Sequence, residues 1–193
     1  VLMIGLGGGS LAKFIYHRLP QARGVAVEVN PKVVAIARQY FHVPPDDERL
    51  RVIIGDGAAF VENDKLRADV VMVDGYDAEA QVESLSTIAF YRDCARILGD
   101  SGVMVVNLWG GDRNYTSCVE RLRKVFNRHV ACLPAGKPGN VVALAFKQMP
   151  VQLRWEDLRQ RARALETTLG LEFGEFVREL AVLNPHDGDK LLI

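Results

Sequence analysis

Short apolar runs alternate along this chain with segments in which apolar residues recur every three or four positions. The runs over residues 1–6, 24–28, 51–55, 70–74 and 103–108 are almost continuously apolar and rich in β-branched residues. That is the pattern of strands buried on both faces of a parallel sheet. Between them the spacing predicts helices over 10–18, 31–41, 58–63, 86–98 and 115–126. Pro31 stands where the first turn of a helix tolerates proline, and Ser86, with Thr87 beside it, is a suitable N-cap. Strands and helices alternating in this way build βαβ units.

The rhythm changes after Phe126. Residues 129–133 and 141–146 read as two further strands, joined by Pro134-Ala135-Gly136-Lys137-Pro138-Gly139-Asn140. That linker is too short for a crossover helix, so the pair is expected to be antiparallel. The fold class that follows is α/β, with a mostly parallel, seven-stranded sheet ending in an antiparallel hairpin. A dinucleotide-binding Rossmann domain closes with another parallel strand; the Rossmann-like fold of S-adenosylmethionine-dependent methyltransferases closes with a hairpin. From Val151 the chain is helical. Trp155, Leu158, Ala162, Leu165 and Leu169 share one face, and Phe173, Phe176, Val177 and Leu180 continue the stripe after Gly170. Such a stripe is either a cap packed on the sheet edge or a dimer contact. Residues 1–150 are thus expected to form a cofactor-binding catalytic domain, with 151–193 as C-terminal helices packed on it. Val1-Leu2-Met3-Ile4 already reads as a buried strand, so further chain is expected upstream of Val1.

Composition narrows the function. The 193 residues include 24 basic and 24 acidic side chains, a formal net charge of zero, which argues against non-specific nucleic-acid binding. Cys94, Cys118 and Cys132 lack metal-ligand spacing and fit reduced thiols in a cytoplasm. No metal site and no membrane partner are expected, since no apolar run approaches the roughly 20 residues of a membrane span.

Candidate chemistry gathers at the carboxyl ends of the strands. The first strand runs into Gly5-Leu6-Gly7-Gly8-Gly9-Ser10 and then a helix. Glycines allow a tight turn and a close backbone approach to a ligand, and the helix behind them presents free N–H groups. The second strand ends in Val27-Glu28-Val29-Asn30, about 20 residues further on, where an acid can accept hydrogen bonds from ribose hydroxyls; the plainer reading of Glu28 is a surface carboxylate. The third strand ends in Gly55-Asp56-Gly57. Asp56 can accept the exocyclic amine of adenine, cap the following helix, or do both. Gly5, Gly7, Gly8, Gly9, Glu28, Val29, Asp56, Gly57 and Asp74 are the candidate cofactor-binding residues. Two successive acids favour an S-adenosyl cofactor over NAD.

The fourth strand ends in Val73-Asp74-Gly75-Tyr76-Asp77, followed by Glu79 and Glu83. These four acids without a base would draw a small cationic amine; the plainer reading is a solvated acidic loop. Asp74, Asp77 and Tyr76 are the candidate catalytic residues. Asp74 can take a proton from an attacking amine or hold it in line, and Tyr76 can line the pocket.

These motifs resemble those of the polyamine aminopropyltransferases, the spermidine synthase family, over roughly residues 1–146. The resemblance rests on the glycine loop, Val27-Glu28, Arg51 through Asp56-Gly57, Asp74-x-x-Asp77, Phe90-Tyr91 and Gly102-Val103. It implies that Glu28 holds the ribose, that Asp56-Gly57 reaches the adenine, and that Asp74 helps deprotonate the amine. It further implies a co-substrate, decarboxylated S-adenosylmethionine, an acceptor such as putrescine, a role in polyamine biosynthesis, and a homodimer or higher homo-oligomer. The sequence departs from the family at three places. Gly8 stands where the family's Gly-Gly-Gly-Asp-Gly-Gly carries an aspartate that grips the aminopropyl amine. Asp-Ser-Ser-Asp-Pro has become Asp74-Gly75-Tyr76-Asp77-Ala78. The family's N-terminal strand domain lies outside this numbering. An acid at position 8 would repel a carboxylate; with glycine there, ordinary S-adenosylmethionine fits too. Two alternatives therefore stand beside aminopropyl transfer: an S-adenosylmethionine-dependent methyltransferase, and a non-catalytic homologue that binds a nucleoside or polyamine.

Overall fold

The computed structural model describes residues 1–75, 82–135, 139–149 and 153–193. The strands, in chain order, are β1 (Leu2–Ile4), β2 (Gly24–Glu28), β3 (Leu50–Ile54), β4 (Ala68–Val73), β5 (Leu98–Trp109), β6 (Val130–Pro134) and β7 (Asn140–Phe146). They form one sheet in the order β3-β2-β1-β4-β5-β7-β6. The first five run parallel to one another, and β7 runs antiparallel to both β5 and β6. The expected α/β sheet with its closing hairpin is the observed one, with β7 inserted between β5 and β6.

Strand β1 lies inside the sheet between β2 and β4, and its three residues are all buried. Side chains alternate across a strand, so β1 feeds two cores. Leu2 and Ile4 join Val27, Val71, Val73, Phe90, Tyr91 and Leu122 on one face, while Met3 joins Ala12, Ile15, Ala26, Val34 and Ala37 on the other. Each Leu, Ile, Val, Met or Phe among them contributes about 1.5–3 kcal/mol on burial. Double-sided coverage is why these strands read as unbroken apolar runs. The strand order reverses across β1, between β2 and β4, and open α/β sheets bind ligands at the carboxyl ends beside that reversal.

The helices are α1 (Ser10–Arg18), α2 (Pro31–Phe41), α3 (Gly57–Asn63), α4 (Ile88–Ile97), α5 (Tyr115–Val125), α6 (Trp155–Leu169) and α7 (Phe173–Leu183). Pro31 occupies the first turn of α2, and the Asn30 side chain accepts from the Lys32 N–H. Ser86 is not a helix cap. It ends a 3₁₀ turn, Glu83–Ser86, and Thr87 caps α4, its Oγ1 accepting from the Phe90 N–H at 3.1 Å. The neighbouring hydroxyls compete for one role, and the extended backbone of Thr87 decides it. Strand β5 starts at Leu98, earlier than position 103, because Leu98 pairs with Ala68 before an irregularity in the register. The polar Asp100-Ser101 in between reads as loop.

Beyond β7, Trp155 and Leu191 pack with Ala131 of β6, joined by Leu144, Phe146, Leu158, Val177 and Leu180. Leu165 leaves the stripe and is 42% exposed. Strand β6 is the sheet edge, with backbone groups that need partners. Asn184, itself buried, supplies them. Its Oδ1 accepts from the Cys132 N–H at 2.7 Å, and its Nδ2 donates to the carbonyls of Cys132 (2.6 Å) and Leu180 (2.7 Å). Among the described residues no helix is long and apolar enough to cross a membrane.

Asn184→Ala leaves the Cys132 N–H and two carbonyls short of partners, and the expected loss is roughly 2–4 kcal/mol of unfolding free energy. Urea denaturation checks it; a change below about 0.5 kcal/mol, the range of an ordinary surface substitution, would show that the edge is satisfied by other means.

Candidate active site

Backbone hydrogen bonds align the strand ends that carry the candidate residues. The Gly5 N–H donates to the Val27 carbonyl at 2.8 Å, the Gly55 N–H to the Glu28 carbonyl at 3.0 Å, and the Asp74 N–H to the Ile4 carbonyl at 2.9 Å. The approach is close enough to require glycine. A Cβ on Gly5, whose φ is +95°, would meet the Asp74 carbonyl oxygen at 2.4 Å, and one on Gly57 would meet Ile4 Cγ2 at 2.4 Å. Gly9 (φ +71°) sits directly before α1, with no side-chain cap on that helix. The first N–H groups of α1 are therefore not consumed by a capping side chain. Gly8 differs from these: its φ is not positive, and a Cβ there would make ordinary contact with the Phe41 ring at 3.5 Å.

Glu28 is nine-tenths buried. Its Oε2 accepts from the Leu6 N–H at 3.0 Å, and its Oε1 accepts from the Asn30 N–H at 3.0 Å. The carboxylate thus binds the glycine loop to the end of β2 and supports its own charge with two N–H dipoles. Each oxygen keeps a further lone pair for a ligand hydroxyl. Asp56 Oδ1 accepts from the Ala59 N–H at 2.8 Å, so Asp56 caps α3.

Gly5, Glu28, Val29, Asp56, Gly57 and Asp74 line one cavity of about 160 Å³, with Val82 and Leu85 as its apolar wall. None of the lining residues is basic. A second, open cavity of about 420 Å³ is lined by Asp74, Asn107, Trp109 and Asn140. Asp74 belongs to both. Gly7, Gly8 and Gly9 lie on the loop beside the first cavity without lining it. Tyr76 and Asp77 lie outside the described residues. A larger cavity of about 550 Å³, lined by Val1, Arg23, Arg67 and Asp69 among others, sits at the amino ends of the strands. It is at the wrong edge of the sheet for the chemistry of this architecture.

Asn107, Trp109 and Asn140 were not singled out from the sequence. Asn107 was nonetheless visible there as the one polar side chain in the apolar run 103–108, the same signal that marks Glu28. Its Nδ2 donates to Asp74 Oδ1 at 2.8 Å. Trp109 and Asn140 face each other across the β5–β7 pair, a neighbour relation that sequence spacing does not reveal. The buried thiols Cys94, Cys118 and Cys132 take no part. Burial pushes all three above the usual thiol range, so they are poor nucleophiles near neutral pH. Tyr115 is likewise pushed up by burial, to about 12.

A sheet of this strand order, closed by an antiparallel hairpin and with a glycine loop at its switch point, is the Rossmann-like fold of the S-adenosylmethionine-dependent methyltransferase class. Comparison with known proteins narrows the class. The spermine/spermidine synthase domain matches residues 1–148. A polyamine aminopropyltransferase from Chromobacterium violaceum is 46% identical over 193 residues, covering 100% of this chain and 74% of that protein. Human methyltransferase-like protein 13 in complex with SAH superposes with a TM-score of 0.79 at 26% identity, over 88% of this chain and 81% of that one. A spermidine synthase in complex with the transition-state analogue AdoDATO superposes at 0.68 and 23% identity, over 94% and 69%, which is a likeness of fold. The chain belongs to the spermine/spermidine synthase family. The activity that goes with this membership is aminopropyl transfer.

The glycine geometry gives a contrast that stability measurements can read. Gly5→Ala forces a positive φ and a backbone clash, and should cost about 2 kcal/mol or more. Gly8→Ala meets neither obstacle and should stay within about 0.5 kcal/mol. Equal losses at both positions in thermal denaturation would contradict the loop geometry.

Proposed function

We propose that the chain transfers an aminopropyl group from decarboxylated S-adenosylmethionine to a small diamine such as putrescine, with Asp74 between the two reactants. The observation that carries this reading is the place of Asp74, shared by the acidic cavity and the amide- and tryptophan-lined cavity. A group can pass from one ligand to another only where their sites meet. In this reading Glu28 holds the ribose hydroxyls and Asp56 the adenine amine, with Val29 and Gly57 against the nucleoside. The cavity's acids favour a sulfonium cation.

The chemistry is a single displacement. The lone pair of a neutral amine nitrogen forms a bond to the methylene carbon beside sulfur. The C–S bond breaks, its electron pair stays on sulfur, and methylthioadenosine leaves as a neutral thioether. The nitrogen, now positively charged, gives up one proton, for which Asp74 is the acceptor at hand. No covalent enzyme intermediate is needed. The protein holds the amine in line and replaces water around it. Tyr76 and Asp77 are assigned to the acceptor side from their places just after Asp74 in the sequence, and the resemblance supports Asp77 alone.

Residues 1–150 form the catalytic unit in this proposal, and 151–193 an extension packed on its edge. Exposed Phe176, Val182 and Leu183 on α7 support self-association into a homo-oligomer, and three buried thiols suit a reducing cytoplasm. Methyl transfer from ordinary S-adenosylmethionine is the second reading. Gly8, which offers a ligand carboxylate no opposing charge, favours it.

The proposal separates binding from turnover. Glu28→Ala should remove detectable binding of methylthioadenosine in calorimetry. Asp74→Asn should leave that affinity within about threefold while kcat falls about 100-fold or more, the scale of a lost general base. Retained affinity in Glu28→Ala would mean that the nucleoside sits elsewhere; a wild-type kcat in Asp74→Asn would remove Asp74 from the reaction.

A further inference from the structure

We propose that Asn107 is a positioning residue: it fixes the Asp74 carboxylate in the orientation that receives the acceptor amine. The inference rests on the role given to Asp74 above. Asp74 follows the last residue of β4, its side chain is exposed, and a two-torsion carboxylate there would sample several rotamers. One contact from a side chain restrains it among the described residues, the 2.8 Å hydrogen bond from Asn107 Nδ2 to Oδ1.

The donor is well held. Asn107 lies within β5, whose neighbouring residues Val106 and Leu108 are both buried. On one side β5 pairs with β4, up to Val73 opposite Val106. On the other, Asn107 itself pairs with Val142 of β7. Side-chain alternation puts Asn107 and Trp109 on the same face, and both line the cavity that Asp74 shares. The amide therefore approaches Asp74 from a rigid central strand, on the acceptor's side of the carboxylate. With Oδ1 engaged, Oδ2 meets no other donor among the described residues and is the readier acceptor for the amine.

The residue type matters as much as its place. An arginine or lysine here would hold Asp74 equally well but would neutralise the charge that attracts an ammonium ion. An amide donates without adding charge. It orients Asp74 without setting a positive charge between the carboxylate and the substrate. A group that acts in this way through another should affect turnover and not nucleoside binding.

The test is a double-mutant cycle on the full chain, with decarboxylated S-adenosylmethionine and putrescine as reactants, read by single-turnover rates. Asn107→Ala removes the donor. Asn107→Asp keeps the shape of the side chain and, when ionised, cannot donate; it guards against a folding defect in the alanine variant. Either should slow transfer about tenfold to 100-fold, while the affinity for methylthioadenosine stays within about twofold. In an Asp74→Asn background, Asn107→Ala should add less than about twofold, because the group it positions is already gone. Rates within twofold of wild type in both Asn107 variants, or losses that multiply in the double variant, would overturn the inference while leaving the Asp74 reading intact. If Asp74→Asn transfers at the wild-type rate, the Asp74 reading fails first and this inference falls with it.

Discussion

The architecture of the site depends on one carboxylate with two backbone donors. Glu28 accepts from the N–H of Leu6, in the glycine loop, and from the N–H of Asn30, at the start of α2. Nearly buried, it would be costly to leave unpaired. The two N–H groups offset that cost, and in doing so they fix the loop against the end of β2. The positions of Gly5, of the first turn of α1 and of the Asp74 backbone follow from this contact, since Gly5 packs directly on Asp74. Functional and structural readings of Glu28 are therefore not rivals. The same carboxylate shapes the loop and still offers lone pairs to a ligand.

Most of this was legible in the sequence because the sheet is buried on both faces. Unbroken apolar runs mark its parallel strands, and each acid that interrupts a run stands at a carboxyl end. Glu28, Asp56 and Asp74 were found by that signal, and the structure brings them round one cavity. The short linker after Leu133 announced the antiparallel pair. What escaped detection depended on contacts distant in sequence. Trp109 and Asn140 meet only because β7 inserts beside β5. Asn184 pairs with Cys132 across 52 residues, and no local pattern marks it. Ser86 was misread because two adjacent hydroxyls, in Ser86 and Thr87, both suit a cap and only the backbone distinguishes them. The start of β5 was missed because Gly99-Asp100-Ser101-Gly102 has a turn's composition while continuing a ladder.

Gly8 remains the point at which family and chain diverge. The family's aspartate would grip an amine at this position; here a backbone without a side chain faces Phe41. Nothing steric forbids a Cβ at this position, so the backbone there does not itself require glycine. Membership of the family and the arrangement around Asp74 point to aminopropyl transfer, whereas the bare glycine loop leaves the cleft open to a carboxylated ligand. In the proposed reading the two possibilities converge on Asp74, with Asn107 beside it, since either group would be delivered across that carboxylate.

Product analysis separates the two most directly. The protein is incubated with putrescine and either decarboxylated or ordinary S-adenosylmethionine, and the products are resolved by mass spectrometry. The account predicts equal amounts of an aminopropylated diamine and methylthioadenosine from the decarboxylated co-substrate, and no turnover of the ordinary one. A methylated amine with S-adenosylhomocysteine, formed from ordinary S-adenosylmethionine alone, would contradict it.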